Sequence, residues 1–250
     1  MACLLPTFGN EQTPTVAGAP PNIIRHCVAL PGSDGKFVQL YWAGAPGITA
    51  IVGQVDANGD ITYGTPVAFS TQFNDGDFVA VDSTTVVAAY RGSTNDPSTR
   101  VGVISGLSIS FGTEQVHDTL YSYSNRIAVD PTTKKVLFVY SVSGATKYRA
   151  GTLSGNSITW GTATQWAAIR RRTDVALISI GSDKFLYGDG EDNLWVGVAA
   201  VWTVTGTTAS QGTFHEYSAS RASNPVLTWD SANSRALCVY DDDLPTNFQK

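Results

Sequence analysis

Short runs of apolar residues, each closed by Gly, Pro, Asn, Asp or Ser, follow one another along the whole chain. Runs such as Phe78-Val-Ala-Val-Asp82 and Arg126-Ile-Ala-Val-Asp130 carry β-branched residues at alternate positions. That is strand patterning, and no segment holds a helical period. The pattern therefore predicts an all-β protein.

The runs also repeat. Asp60-Ile-Thr-Tyr-Gly-Thr-Pro, Ser108-Ile-Ser-Phe-Gly-Thr-Glu, Ser157-Ile-Thr-Trp-Gly-Thr-Ala and Trp202-Thr-Val-Thr-Gly-Thr-Thr align on Gly64, Gly112, Gly161 and Gly206. A second register places Gly53, Gly102, Gly151 and Gly197 inside β-branched or aromatic runs. A third gives five apolar runs ending on Tyr41, Tyr90, Tyr140, Tyr187 and Tyr240. A common period near fifty residues marks one repeated supersecondary unit.

Each unit reads as four strands, A to D. A and B are joined by turns such as Asp130-Pro-Thr-Thr-Lys134, and C and D by turns such as Ser154-Gly-Asn156. Four short antiparallel strands per repeat predict a five-bladed β-propeller. The blades fall at approximately 22–71, 72–119, 120–169, 170–219 and 220–250 plus 1–18, in a single domain over 1–250. The tyrosine run at Tyr240 has no strand D after it. Leu5-Pro-Thr-Phe8-Gly9-Asn10 matches the strand D register, so the N-terminal strand is expected to close the last blade.

Composition narrows the function. At 42% hydrophobic and 15% charged residues the chain is globular. A net charge of −5 lacks the basic footprint of a nucleic-acid binder. The N-terminus has no signal-peptide pattern, and no apolar stretch is long enough for membrane insertion by a helix. Cys3, Cys27 and Cys238, an odd set without motif spacing, are expected to be buried free thiols.

The segments Asn58–Thr65, Ser105–Thr113 and Ser154–Thr162 resemble the propeller-like repeats of bacteriophage virion proteins, those of cyanophages and marine phages included, and of some bacterial surface proteins. The five-bladed plan is similar to tachylectin-type sugar-binding propellers, without their tryptophan-rich motif. Ser154-Gly-Asn-Ser-Ile-Thr-Trp160 ends like the Asp-box of sialidase-type propellers but lacks its aspartate and internal glycine. The resemblance to phage proteins implies a virion component assembled in the host cytoplasm.

Function in such a fold belongs to the loops at the channel mouth, between strands B and C and between D and A. The B–C loops carry Trp42, Arg91, Asp189, Glu191, Asp192 and Asp241-Asp242-Asp243. The D–A loops carry Asn74, Asp75, Asp77, His117, Trp166, Arg170-Arg171-Arg172 and, with His215, the neighbouring Tyr217. The acidic clusters 189–192 and 241–243 suit calcium, the one cofactor suggested, or a solvated acidic turn. They also suit a glycosidase pair. The arginine run suits an acidic partner, and Trp42, Trp166 and Tyr217 suit stacking on sugar or packing within a blade.

No nucleophile elbow, zinc spacing or phosphate loop is present, so no catalytic residue is assigned. The expectation is a non-enzymatic virion module that binds host-surface glycan or another virion protein. A multivalent lectin of non-phage origin and a glycan hydrolase using the loop carboxylates are the alternatives.

Overall fold

The computed structural model describes residues 23–43, 47–166, 175–191, 196–219 and 222–242. These form twenty-two strands and no helix. The first sheet holds β1 (Ile23–Ala29), β2 (Lys36–Trp42), β3 (Ile48–Val55), β4 (Ile61–Tyr63) and β5 (Val67–Ser70). The second holds β6 (Asn74–Asp82), β7 (Thr85–Arg91), β8 (Pro97–Ser105), β9 (Ser108–Phe111) and β10 (Gln115–Val116). The third holds β11 (Ser122–Val129), β12 (Lys135–Val142), β13 (Ala145–Ser154), β14 (Ser157–Trp160) and β15 (Thr164–Gln165). The fourth holds β16 (Val175–Gly181), β17 (Lys184–Glu191), β18 (Val196–Thr205), β19 (Thr208–Gln211) and β20 (His215–Ser218). A fifth pairs β21 (Ala222–Asp230) with β22 (Arg235–Asp242).

All pairings are antiparallel and the first four sheets share one order. The fourth position is split in each of them. β4 and β5, for example, both pair with β3, one along each half. Turn chemistry fixes the hairpins. The Asp130 carboxylate accepts the amides of Thr132 at 2.9 Å and Thr133 at 3.2 Å, and Asp230 does the same for Ala232 and Asn233.

The split has a cause. The amides of Gly64, Gly112, Gly161 and Gly212 each donate to the third strand, at Val52, Val101, Ala150 and Val201. At Gly64, Gly112 and Gly161 a Cβ would overlap the carbonyl oxygen of Leu107, Asn156 or Thr207 in the next sheet. The recurring glycine thus lets one sheet's outer strand approach the next sheet's C–D turn.

The structure corrects the fourth repeat at three places. Gly206 lies in the turn between β18 and β19 with φ of 61°, so Gly212 is the counterpart of Gly161. Gly197 faces Gly190 near the start of β18, and Trp202 stands where Gly53, Gly102 and Gly151 stand. Lys184 begins β17 as Lys36, Lys135 and Arg235 begin their strands. Five residues on, where Tyr41, Tyr140 and Tyr240 lie, the fourth sheet has Asp189, not Tyr187. In each case a nearby residue of the same type satisfied the spacing without sharing the pairing.

The core lies between neighbouring sheets. One apolar cluster joins the first and second sheets through Leu40, Phe69 and Tyr90. A second joins the second and third through Val87, Phe138 and Tyr140, and a third joins the third and fourth through Leu137, Trp166 and Trp202. Polar ties add to it. Lys134 Nζ meets Asp82 at 2.7 Å, and the Asp183 amide donates to the Asp130 carboxylate at 2.9 Å. This face-to-face stacking of antiparallel sheets is propeller-like.

The expected N-terminal closing strand lies outside the described residues. Of the thiols expected to be buried, Cys27 is exposed and Cys238 half-buried. Cys27 takes the outward position of β1 because its neighbours His26 and Val28 take the inward one.

Candidate functional site

The first strands of the five sheets converge on one cavity of about 460 Å³, lined by His26, Gly76, Asp77, Arg126, Val175–Ile178 and Pro225–Leu227. β-pairing gives the layer its register. His26 lies opposite Leu40, Asp77 opposite Ala89, Arg126 opposite Val139, Ala176 opposite Gly188 and Val226 opposite Val239. Each opposing residue immediately precedes the strand B tyrosine or Asp189. His26, Asp77, Arg126, Ala176 and Val226 are therefore equivalent positions of the repeat.

A β-bulge precedes four of these five positions. In three of the bulges a non-glycine residue is left-handed: Asp75 (φ 46°), Ser124 (φ 32°) and Asn224 (φ 49°). Bulges re-aim the following side chain, and strained backbone held at one place in several repeats is costly to keep. Here the side chains that follow are Asp77, Arg126 and Val226.

The charged groups are well tied. The Asp77 carboxylate accepts the amides of Phe78 at 2.9 Å and Ile127 at 3.3 Å. Burial raises its pKa above the ordinary carboxylate value, against the opposing effects of Arg126 and the two amides. Arg126 donates from Nε to the Val175 carbonyl at 2.8 Å and from Nη1 to Asn125 at 3.0 Å. His26 packs edge-on against Phe73, ring centres 5.2 Å apart.

A second cavity of about 310 Å³ adjoins at His26, Gly76 and Arg126 and adds Phe73, Asn74, Asp75 and Arg91. Arg91 pairs with Asp75 at 2.9 Å and lies over the Tyr121 ring at 4.4 Å. The Asn125 side chain donates to the Asp75 carbonyl at 3.2 Å, tying the two bulges together.

The residues expected to form the site are not gathered here. Asp189, expected on a solvated loop, is fully buried within β17. Tyr187 donates to its carboxylate at 3.1 Å, and Tyr217 to its backbone carbonyl at 3.1 Å. Asp189 takes a tyrosine's place in the repeat, which is why it points inward. Burial also pushes the Tyr217 hydroxyl well up, so it is a standing donor. Trp166 is core, stacked on Phe214 at 5.3 Å and edge-on to Trp202 at 5.1 Å.

Trp42 is half-buried at the end of β2. Asp241 is exposed and accepts from Asn224 at 2.9 Å. Glu191 and Asp242 lie at strand ends, and Arg170, Arg171, Arg172, Asp192 and Asp243 lie outside the described residues. Among the described residues no group of three or more acidic, histidine or cysteine side chains could hold a metal ion. No described helix is long and apolar enough to cross a membrane.

Sequence reasoning placed Asp77 on a D–A connection and Arg126 at the head of a strand run, without bringing them together or joining His26 to them. The signal was available. Asp77 and Arg126 directly precede the matching runs Phe78-Val-Ala-Val and Ile127-Ala-Val, so a charge recurs at one position ahead of an apolar run.

No family model matches the chain, and no curated protein does. Solved structures of like fold exist. One, described as a candidate 6-phosphogluconolactonase from Bacteroides fragilis, superposes with a TM-score of 0.51 at 10% identity, over 90% of this chain and 71% of its own. A second so described, from Bacteroides uniformis, gives 0.55 at 13% identity, over 88% of this chain and 63% of its own. The chain thus spans about two thirds of their length.

These likenesses establish a propeller-like all-β fold. They also correct the expectation of a non-enzymatic virion module, because both structures are named for a lactonase, which is an enzyme. At such identity the likeness shows the fold and not a reaction.

Proposed function

We propose that this protein hydrolyses a small cyclic ester in the cavity framed by its five first strands. The observation that carries the reading is the single layer in which His26, Asp77 and Arg126 line one cavity. Lactone hydrolysis needs a base for water, a donor for the carbonyl oxygen and a proton for the departing alkoxide. Asp77 is the base. Burial raises its pKa towards the working range, while its two amide donors fix its direction.

Arg126 is held by backbone carbonyls through Nε and Nη1 and offers Nη2 to the developing oxyanion. His26 supplies the proton to the ring oxygen. Water adds its hydroxyl to the carbonyl carbon and its proton to Asp77. The ring carbon–oxygen bond breaks, the alkoxide takes the His26 proton, and the Asp77 proton passes to solvent or back to His26. The product is a hydroxy acid. The lactonase names of the two like-folded structures favour the same reaction class.

The test is hydrolysis of a lactone panel by the full chain, followed by the release of acid. Asp77→Asn and His26→Gln should each lower kcat about a hundredfold or more. Equal rates in wild type and both variants would refute the assignment.

The five sheets, on this reading, are blades of one ring, and residues 1–18 complete the fifth. Two features support this: the strand D register of Leu5–Asn10, and the apolar side chains that β22 leaves open, Leu237 at 60% and Val239 at 59% exposure. Deleting residues 1–10 should lower Tm, and an unchanged Tm would remove the closure.

A further inference from the structure

The cavity has two unlike walls. β1, β6 and β11 contribute His26, Asp77 and Arg126, whereas β16 and β21 contribute only the uncharged segments Val175–Ile178 and Pro225–Leu227. Val226, at the layer position equivalent to Asp77 and Arg126, is 64% exposed on this wall, while Leu227 beside it is 8% exposed. A polyhydroxylated, phosphorylated ligand would place its hydroxyls against side chains that return no hydrogen bond, leaving them desolvated and unpaired.

The polar side continues into a second cavity. The second cavity meets the first at His26, Gly76 and Arg126 and leads towards Asn74, Asp75 and Arg91. A ligand in the larger cavity therefore has its polar end at His26 and Arg126 and its remainder on β16 and β21.

We infer that the channel takes an amphipathic ester, a small lactone ring bearing an unbranched hydrocarbon chain, with the carbonyl at Arg126 and the chain along Leu177, Ile178 and Val226. This rests on the lactone-hydrolase reading for the reaction, but the ligand class can be tested apart from it. The carboxylate formed on ring opening gains a charge-assisted partner in Arg126, so simple alkyl carboxylates should bind as product mimics. Hydrocarbon transferred from water to the apolar wall tightens binding by about fourfold per methylene.

The experiment has two arms on the full chain. Calorimetric titration with hexanoate, octanoate and decanoate reads the ligand class. Hydrolysis of γ-decalactone against glucono-δ-lactone reads the reaction. The expected result is binding that tightens about fourfold per methylene, weakened at least tenfold in Val226→Asp, and a higher kcat/KM for γ-decalactone. Carboxylate binding with this chain-length dependence but no lactone turnover would keep the ligand class and overturn the reaction. Turnover of glucono-δ-lactone with no carboxylate binding would keep the reaction and overturn the amphipathic ligand. Carboxylate binding indifferent to chain length or to Val226→Asp would also overturn it.

Discussion

The Asp77 carboxylate, on the first strand of the second sheet, accepts the backbone amide of Ile127, on the first strand of the third, at 3.3 Å. The amide belongs to the residue after Arg126. One hydrogen bond therefore joins two sheets and sets the spacing of the acid and the cation that line the cavity. Burial raises the Asp77 pKa in the folded state, so the folded protein holds this proton more tightly than the unfolded chain. Its contribution to stability is full below the ordinary carboxylate pKa and is lost as pH rises through the raised one. Asp77→Asn removes that loss. The Tm of the variant relative to wild type should rise as pH climbs from the ordinary carboxylate value of about 4 through the raised one.

His117 has the opposite sense. It lies between the second and third sheets, with Thr99 Oγ1 at 2.8 Å and Arg149 Nη1 at 3.0 Å from its two ring nitrogens. Burial, aided by the Arg149 charge, lowers its pKa from 6.5 to about 3. A depressed histidine pKa stabilises the fold above the unfolded value and loses that stabilisation as pH falls towards the folded one. Thermal melts should show Tm falling from about pH 6.5 down to about pH 3, by less in His117→Gln than in wild type.

The two kinds of recurring glycine should respond differently to substitution. Gly112→Ala and Gly161→Ala drive a methyl group into a backbone carbonyl of the next sheet and should each cost about 2–3 kcal/mol. Gly206 has a left-handed φ of 61° and open space around it. Gly206→Asn should cost under about 1 kcal/mol, because asparagine tolerates that conformation. Denaturant titration of the three variants distinguishes a turn at Gly206 from the strand position its spacing suggested.

Asp189 and Asp241 separate in the same way. Asp189 is fully buried, with Tyr187 hydrogen-bonded to its carboxylate, so Asp189→Ala should cost about 2–3 kcal/mol. Asp241 is exposed, and Asp241→Ala should stay within about 0.5 kcal/mol. Equal responses in a denaturant titration would restore the reading of both as solvated acidic turns.

The repeat was legible because strand and turn chemistry is local. Asp130 and Asp230 cap their own hairpins, and Gly64, Gly112 and Gly161 each answer to a neighbouring carbonyl. It blurred in the fourth sheet, where Tyr187, Gly197 and Gly206 each lie a few residues from the position that pairs. The site was less legible for a different reason. Charge in a loop is conspicuous, so Asp189 and the arginine run drew attention. Asp77 reads as one of several polar residues on a D–A connection and Arg126 as the head of an apolar run, and only the bulges of separate sheets turn them into one cavity.

The most direct test is the pH dependence of kcat/KM for γ-decalactone hydrolysis by the wild-type chain and by Asp77→Asn. With Asp77 as the base, the low-pH side of the profile climbs with a midpoint above the ordinary carboxylate range, and that climb is absent in the variant. A wild-type profile that the variant reproduces in height and shape would contradict the assignment of the channel as the active site.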